Sequence, residues 1–330
     1  MATYKGIQGY SVQTLASDPS PTASAEGQLW FNSTSSTYKI ATGSAGAWAA
    51  GGNFTAARSG RGSAGPNSAT IMFGGFLPTA TTKPEVEEYD GSSWTEVANL
   101  TTARAMFAPA QQGTQTAALA ASGTSSSLGD GTLCELWNGS SWTEVADTTI
   151  GHAYCAGAGT STAGFAVASA GNPSTTRALC EKWDGTSWTE VGDLNTGRYF
   201  NMAAGSQTAA LCMGGEPPPG TFTANTESWD GTSWTEVNNL NTARATGGGA
   251  GTSTAALAAG GNTPTFTAIT EKWDGTSWTE VADLATARIR IGSSGTSGAA
   301  IVGGGQTPPV VATTEVWTDP IYAVKTVTTS

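Results

Sequence analysis

An eleven-residue phrase recurs along the chain and constrains its fold more than any other feature. It is clearest at 271–281, Glu-Lys-Trp-Asp-Gly-Thr-Ser-Trp-Thr-Glu-Val. It returns unchanged as Glu181 to Val191 and, with substitutions, as Glu227 to Val237, Glu135 to Val145 and Glu87 to Val97. Asp-Gly or Asn-Gly between two short aromatic-rich runs signals a hairpin, because the pair accepts the positive φ that a turn matched to strand twist requires. Each copy is therefore expected to be two antiparallel strands, with Trp or Tyr before the turn and Trp after it. So short a hairpin cannot bury its aromatic face alone, so the copies must stack on one another.

The second Trp of the phrase falls at 48, 94, 142, 188, 234 and 278, in steps of 46, 48, 46, 46 and 44 residues. A period in the mid-forties points to a propeller or an array. Four β-type runs fit in each period. After Trp234 they are Ala245 to Gly251, Ala255 to Gly261, a run ending at Trp273, and Ser277 to Val281. Four strands per repeat, with no helical periodicity, predict an all-β propeller of four-stranded antiparallel blades.

With 44 Gly and 12% charged residues the chain would read as low complexity were it not periodic, and its 12 Trp supply core material. A formal charge of −11 argues against a nucleic-acid partner. No run of 18 apolar residues predicts membrane insertion, and Met1 to Ile7 lacks the apolar stretch of a signal peptide, so synthesis in the cytoplasm is expected. Cys134, Cys155, Cys180 and Cys212 stand singly and read as small buried apolar residues rather than a disulfide or metal set.

A double glycine ends the second strand at Gly74-Gly75, Gly214-Gly215, Gly260-Gly261 and Gly304-Gly305, weakening to Ser122-Gly123 and Ala170-Gly171. The third-strand aromatic follows at Tyr89, Trp137, Trp183, Trp229, Trp273 and Trp317. Next comes the fourth-strand Trp (Trp94, Trp142, Trp188, Trp234, Trp278), and an Arg ten residues after Trp48, Trp94, Trp188, Trp234 and Trp278 closes the unit (Arg58, Arg104, Arg198, Arg244, Arg288). Over residues 54–322 this pattern resembles the kelch repeat family, which implies a propeller. The chain departs from the family in its four-residue aromatic-to-Trp gap and in using Trp where Tyr is usual.

Six repeats are expected at 54–100, 101–148, 149–194, 195–240, 241–284 and 285–330, the last supplying its own fourth strand around Tyr322. Residues 1–53 add Gln28 to Phe31, Thr37 to Ala41 and Ala47 to Ala49, which read as three further strands, with Lys5 to Leu15 available as the first. Seven blades in one propeller is the preferred reading. The alternative is six, with Trp48 completing the last blade and residues 1–43 forming a separate arm. The segment Gly27 to Lys39 resembles one common in structural and tail proteins of tailed bacteriophages, and Met1 to Leu15 with the Ala/Thr/Ser/Gly-rich repeats resembles marine-phage kelch-like proteins. That resemblance implies a virion protein, attached to other virion proteins through its N-terminal region.

Two carboxylate sets recur: Glu87, Glu135, Glu181, Glu227, Glu271 and Glu315, and Glu96, Glu144, Glu190, Glu236 and Glu280. Paired carboxylates can hydrolyse a glycoside, but an active site breaks symmetry and these repeat. The first set is expected to pair structurally with the repeat Arg of a neighbouring first strand. His152, the one histidine, stands where other repeats have Arg. A single His cannot assemble the copper centre of galactose oxidase-like kelch enzymes or a multi-His zinc site, and one Asp per turn is too few for calcium. No cofactor, metal or catalytic residue is expected.

The loops between strands two and three diverge: 76–84, 124–132, 172–178, 216–225, 262–268 and 306–313. Varied, proline-stiffened loops on a rigid scaffold are where binding usually lives. Candidate ligand contacts are Phe76, Leu77, Arg177, Phe222 and Phe266, with His152 as the residue that breaks the Arg column. The expected function is non-enzymatic, binding a host-surface polysaccharide or protein from the virion surface. The alternatives are capsid decoration or a tail or neck adaptor without receptor binding and, further off, a glycan-active enzyme.

Overall fold

The repeated phrase folds as a hairpin, but its loop holds four residues and the Asp works through its side chain. In the fifth copy the strands end at Trp273 and resume at Trp278. Between them Asp274 Oδ1 accepts the N–H groups of Thr276 and Ser277, each at 2.8 Å, and only Gly275 takes a positive φ, 96°. Asp90, Asp184 and Asp230 do the same, and Asn138 does it in the second copy. The Ser187 and Thr186 donors hold the Asp184 carboxyl down at about 2.

The computed structural model describes residues 12–20, 22, 27–125, 129–170 and 176–327. They contain no helix and form seven four-stranded sheets plus one two-stranded hairpin, an all-β, propeller-like arrangement. The chain divides into two units, Trp48–Thr318 and Met1–Ala47 with Asp319–Ser330.

The larger unit holds six of the seven sheets. Blade one is Gly62–Ala64, Ile71–Phe73, Val86–Tyr89 and Trp94–Val97, and blade five is Gly248–Thr252, Ala255–Thr263, Thr265–Trp273 and Trp278–Glu280. Each first strand meets that of the next blade, and the first strand of blade six, Gly292–Gly295, meets that of blade one, so the ring closes at six. Ser63 Oγ donates to the Ser293 carbonyl at 2.6 Å across that seam.

The seven-sheet count expected from the sequence holds, but the strand assignment follows the alternative reading. The fourth strand of blade six is Ala47–Ala50, not the segment around Tyr322. The reason is local. Where the other copies place the positive-φ Gly of the turn, the last copy has Asp319, followed by Pro320, so the four-residue loop cannot form. Trp48 takes the vacated place, 5.6 Å from Trp317 between ring centroids.

The Trp pairs fill the gaps between blades. Trp229 and Trp234 pack on Phe165 and Val167 of the preceding blade, Trp273 and Trp278 on Leu211 and Met213, and Trp317 and Trp48 on Leu257. The third-strand indole also ties down its own blade, as when Trp273 Nε1 donates to the Ser253 carbonyl at 3.0 Å. The four cysteines are free and buried, and burial pushes Cys134 up to about 11 and Cys180 to about 12.

The double glycines let neighbouring blades touch. A β-carbon at Gly74, Gly214 or Gly304 would collide with the carbonyl of the next blade's repeat Arg (Arg104, Arg244 and Arg58). The second glycine donates to that same carbonyl, as from Gly75 to Arg104 and Gly305 to Arg58 at 2.9 Å each. In blade three the positive φ, 64°, falls on Ala168, at the bulge between Val167 and Ser169. Its elbow is thus Ala168-Ser169, two residues before the Ala170-Gly171 expected from the sequence.

The smaller unit is one sheet of Gln13–Leu15, Leu29–Asn32, Thr37–Ser44 and Ile321–Thr326, in that order, with the first pair parallel. Trp30 is buried in it and donates to Asp18 Oδ1 at 3.1 Å, beside the Asn32 amide at 2.6 Å. Leu29, Tyr38 and Ile321 are exposed, and the register sets Leu29 opposite Ile40 and Phe31 opposite Tyr38.

Candidate functional site: the axial mouth of the propeller

Six residues, one per blade, form a closed circle of backbone hydrogen bonds. Met106 N–H donates to the Gly60 carbonyl (2.9 Å), Tyr154 to Met106 (3.3 Å), Phe200 to Tyr154 (2.6 Å) and Thr246 to Phe200 (2.8 Å). Arg290 then donates to Thr246 (2.7 Å) and Gly60 to Arg290 (2.7 Å). All six lie in the left-handed region, with φ from 55° at Met106, Phe200 and Arg290 to 68° at Gly60. That conformation costs a non-glycine residue about 1–2 kcal/mol, and backbone strain of this kind gathers at binding sites.

The repeat Arg two residues earlier holds each ring residue in place. Arg58, Arg104, Arg198, Arg244 and Arg288 are buried and pair with Glu87, Glu135, Glu227, Glu271 and Glu315 at 2.8, 2.7, 3.1, 2.9 and 2.7 Å. The pairing expected from the sequence is present, but inside one blade rather than with a neighbouring first strand. The carboxylate also accepts the N–H of the chain arriving from the preceding blade, Thr55 on Glu87 and Asn241 on Glu271, both at 2.7 Å. Each Glu thereby fixes the crossover that delivers the next ring residue. Burial alone would raise the Glu87 carboxyl, but Arg61 and the Thr55 N–H hold it below its ordinary value.

His152 takes the Arg place in blade three. It is fully buried, with Nε2 2.7 Å from Glu181 Oε2 and Nδ1 2.9 Å from the Ala168 carbonyl. It has no surface for a ligand and serves as that blade's clamp. The second carboxylate set lies opposite the first, Glu280 beside Glu271, with its side chains exposed.

Two hollows open at the ring. One, of about 70 Å³, runs down the axis past Met106, Phe200 and Thr246. Its far part is crossed by blade two, where Gln112 donates its side-chain amide to Gly251 O at 2.8 Å and its N–H to Gly159 O at 2.9 Å. The other, of about 370 Å³, is bounded by Phe76, Leu77, Pro78, Gln306 and Val310. Tyr154 and Arg290 line both. Tyr154 is steadied edge-on by Phe200, with ring centroids 5.2 Å apart.

Of the candidate contacts, Phe76 and Leu77 line the larger hollow. Phe222 and Phe266 are half-buried and lie outside its lining. Residues 262–268 are not a loop: they continue the strands Ala255–Thr263 and Thr265–Trp273, with Phe266 opposite Asn262. Arg177 pairs its backbone with Ser169, and its side chain lies outside the described residues. Sequence reasoning missed Met106, Tyr154, Phe200, Thr246 and Arg290. The available signal was the column two residues past the repeat Arg or His, which reads Gly, Met, Tyr, Phe, Thr, Arg while the Arg or His itself is almost constant.

No family model matches this sequence, and no curated protein does. Among solved structures the chain is similar to one described as "Structure of YjhT", with a TM-score of 0.63 and 14% identity over 82% of this chain and 99% of that one. At this identity the likeness shows the fold alone. The covered share corresponds in length to the Trp48–Thr318 unit.

Proposed function

We propose that this chain is a non-enzymatic virion protein of a tailed phage. It is displayed on capsid or tail and binds a host-surface glycan or protein through the face that carries the strand two–three loops. One observation carries the binding reading. Loop residues Phe76, Leu77, Gln306 and Val310 and ring residues Tyr154 and Arg290 bound one hollow, whereas the turns between strands three and four are near-constant. Variation concentrated around a concavity on a rigid ring is the pattern of recognition.

The non-enzymatic reading draws support from the lining of both hollows, which includes neither a carboxylate nor a histidine to act as general acid or base. The phage reading rests on the resemblance of Gly27 to Lys39, a segment that builds the hairpin of Leu29–Asn32 and Thr37–Ser44. Leu29, Tyr38 and Ile321, exposed on the smaller unit, suit attachment to other virion proteins. The same exposure favours the second reading, particle decoration without receptor binding.

Labelled protein offered to host cells separates the two. Saturable binding that is lost when residues 77–80 are replaced by a Gly-Ser turn supports the receptor reading. Uptake only onto particles stripped of this protein overturns it in favour of decoration.

A further inference from the structure

The mouth is cationic in an acidic protein. The chain carries 25 Asp and Glu against 14 Lys and Arg. Among the described residues, however, the charged side chains lining the two hollows are Arg61 and Arg290, and no carboxylate joins them. Arg61 has a counter-ion: it is buried, bonds Glu87 at 2.8 Å and stacks over Phe54, although its Nε and Nη1 have no hydrogen-bond partner, and burial brings it down to about 9. Arg290 is not committed. Among the described residues it makes no ion pair, and its buried Nε has no hydrogen-bond partner. A partly desolvated guanidinium without a counter-ion is unfavourable, and an anion seated against it removes that cost.

The backbone of Arg290 is also held in place. It sits in the hydrogen-bonded circle at φ 55°, a conformation that Gly60 adopts freely in the same circle and that Arg adopts under strain. Three places round the circle stands Tyr154, so the guanidinium and the phenol ring bound the hollow from opposite sides of the axis. An aromatic face opposite a cation suits a ligand that is a ring with apolar C–H faces on one side and an anionic group on the other. Ser59 and Gln306 in the same wall supply hydroxyl and amide partners. A volume of about 370 Å³ suits the end of a chain rather than a long segment.

We infer that the axial mouth binds an acidic saccharide, its carboxylate or sulfate on Arg290 and a sugar face on Tyr154. This rests on the receptor reading above and narrows it to one ligand class.

The test uses the full chain with polygalacturonate, dextran sulfate and neutral dextran as probes, binding being measured by calorimetry at moderate salt. With a net charge of −11 the protein repels polyanions in general, so retention of one reports a specific site. Arg290→Gly removes the guanidinium while keeping a residue that the circle already accepts at Gly60, and thermal unfolding verifies that the variant folds. Lys325→Ala, in the smaller unit, is the control for loss of one positive charge.

The expected result is binding of polygalacturonate or dextran sulfate, weakened at least tenfold by Arg290→Gly, retained in part by Arg290→Lys and unchanged by Lys325→Ala. Preference between the two acidic probes identifies the anionic group. Equal binding of neutral dextran, indifferent to Arg290→Gly, overturns the acidic assignment and leaves the glycan reading standing. Host-cell binding without affinity for any of the three probes also overturns the assignment. Loss of host-cell binding as well, with uptake only onto stripped particles, overturns the receptor reading itself.

Discussion

Blades three and five are built from nearly the same words yet are held differently. In blade five a guanidinium, Arg244, reaches both Glu271 and the Ala258 carbonyl, and the elbow is Gly260-Gly261. In blade three an imidazole, His152, reaches Glu181 and the Ala168 carbonyl, and the elbow is Ala168-Ser169. The clamp survives the exchange because both side chains reach a buried carboxylate and a backbone carbonyl of the same blade. The elbow survives at a cost, since Ala168 holds φ 64° where glycine would do so freely. The repeat therefore specifies a geometry rather than particular residues.

The strongest way to break this comparison is to remove the clamp. Arg244→Ala leaves Glu271 buried and without its cation, and is expected to cost about 3–5 kcal/mol. Urea unfolding unchanged from the parent would show that the pair does not hold the blade. Next, Gly260→Ala gives blade five the elbow of blade three. Because the new β-carbon would sit 2.8 Å from the Arg288 carbonyl, a loss of about 1–3 kcal/mol is expected, read as a lowered Tm. The reverse exchange, Ala168→Gly, should stabilise blade three by up to about 1 kcal/mol, and a loss of stability there would mean the two elbows are not equivalent.

The smallest effect is that of mild acid. Burial would raise Glu181, yet His152 and Thr149 hold its carboxyl below the ordinary value of 4.5. A carboxyl depressed in the folded state contributes stability that is complete above the unfolded value and is lost as pH falls through the folded one. Stability should thus be flat from neutrality to about pH 5 and fall below about 4.5. In His152→Ala the part of that acid limb due to Glu181 should shrink, as followed by urea midpoints across the range.

Much of this was legible because it is periodic. The hairpins, the Trp pairs, the double glycines and the Glu–Arg partnership each recur, and a repeated contact leaves a repeated residue. The mouth left the opposite trace. Met106, Tyr154, Phe200, Thr246 and Arg290 share a backbone conformation and no side chain, so no repeated residue marks them. Phe76 and Leu77 were found because their loop diverges; Phe222 and Phe266 diverge too but lie outside the hollow.

By itself the sequence determined the blade: four strands, their turns, the recurring Trp pairs and the Glu and Arg partners, each marked by a residue that returns every period. Only the tertiary structure decided how the ring closes and what its axis presents. Ala47–Ala50 completes a sheet whose other strands begin at Gly292, and Thr314 Oγ1 donates to the Gly52 carbonyl 262 residues away at 2.6 Å. Asp319-Pro320 locally forbids the usual hairpin, but no local pattern says which strand replaces it. The replacement follows from which free strand edge and which unfilled aromatic gap meet once the other blades have packed.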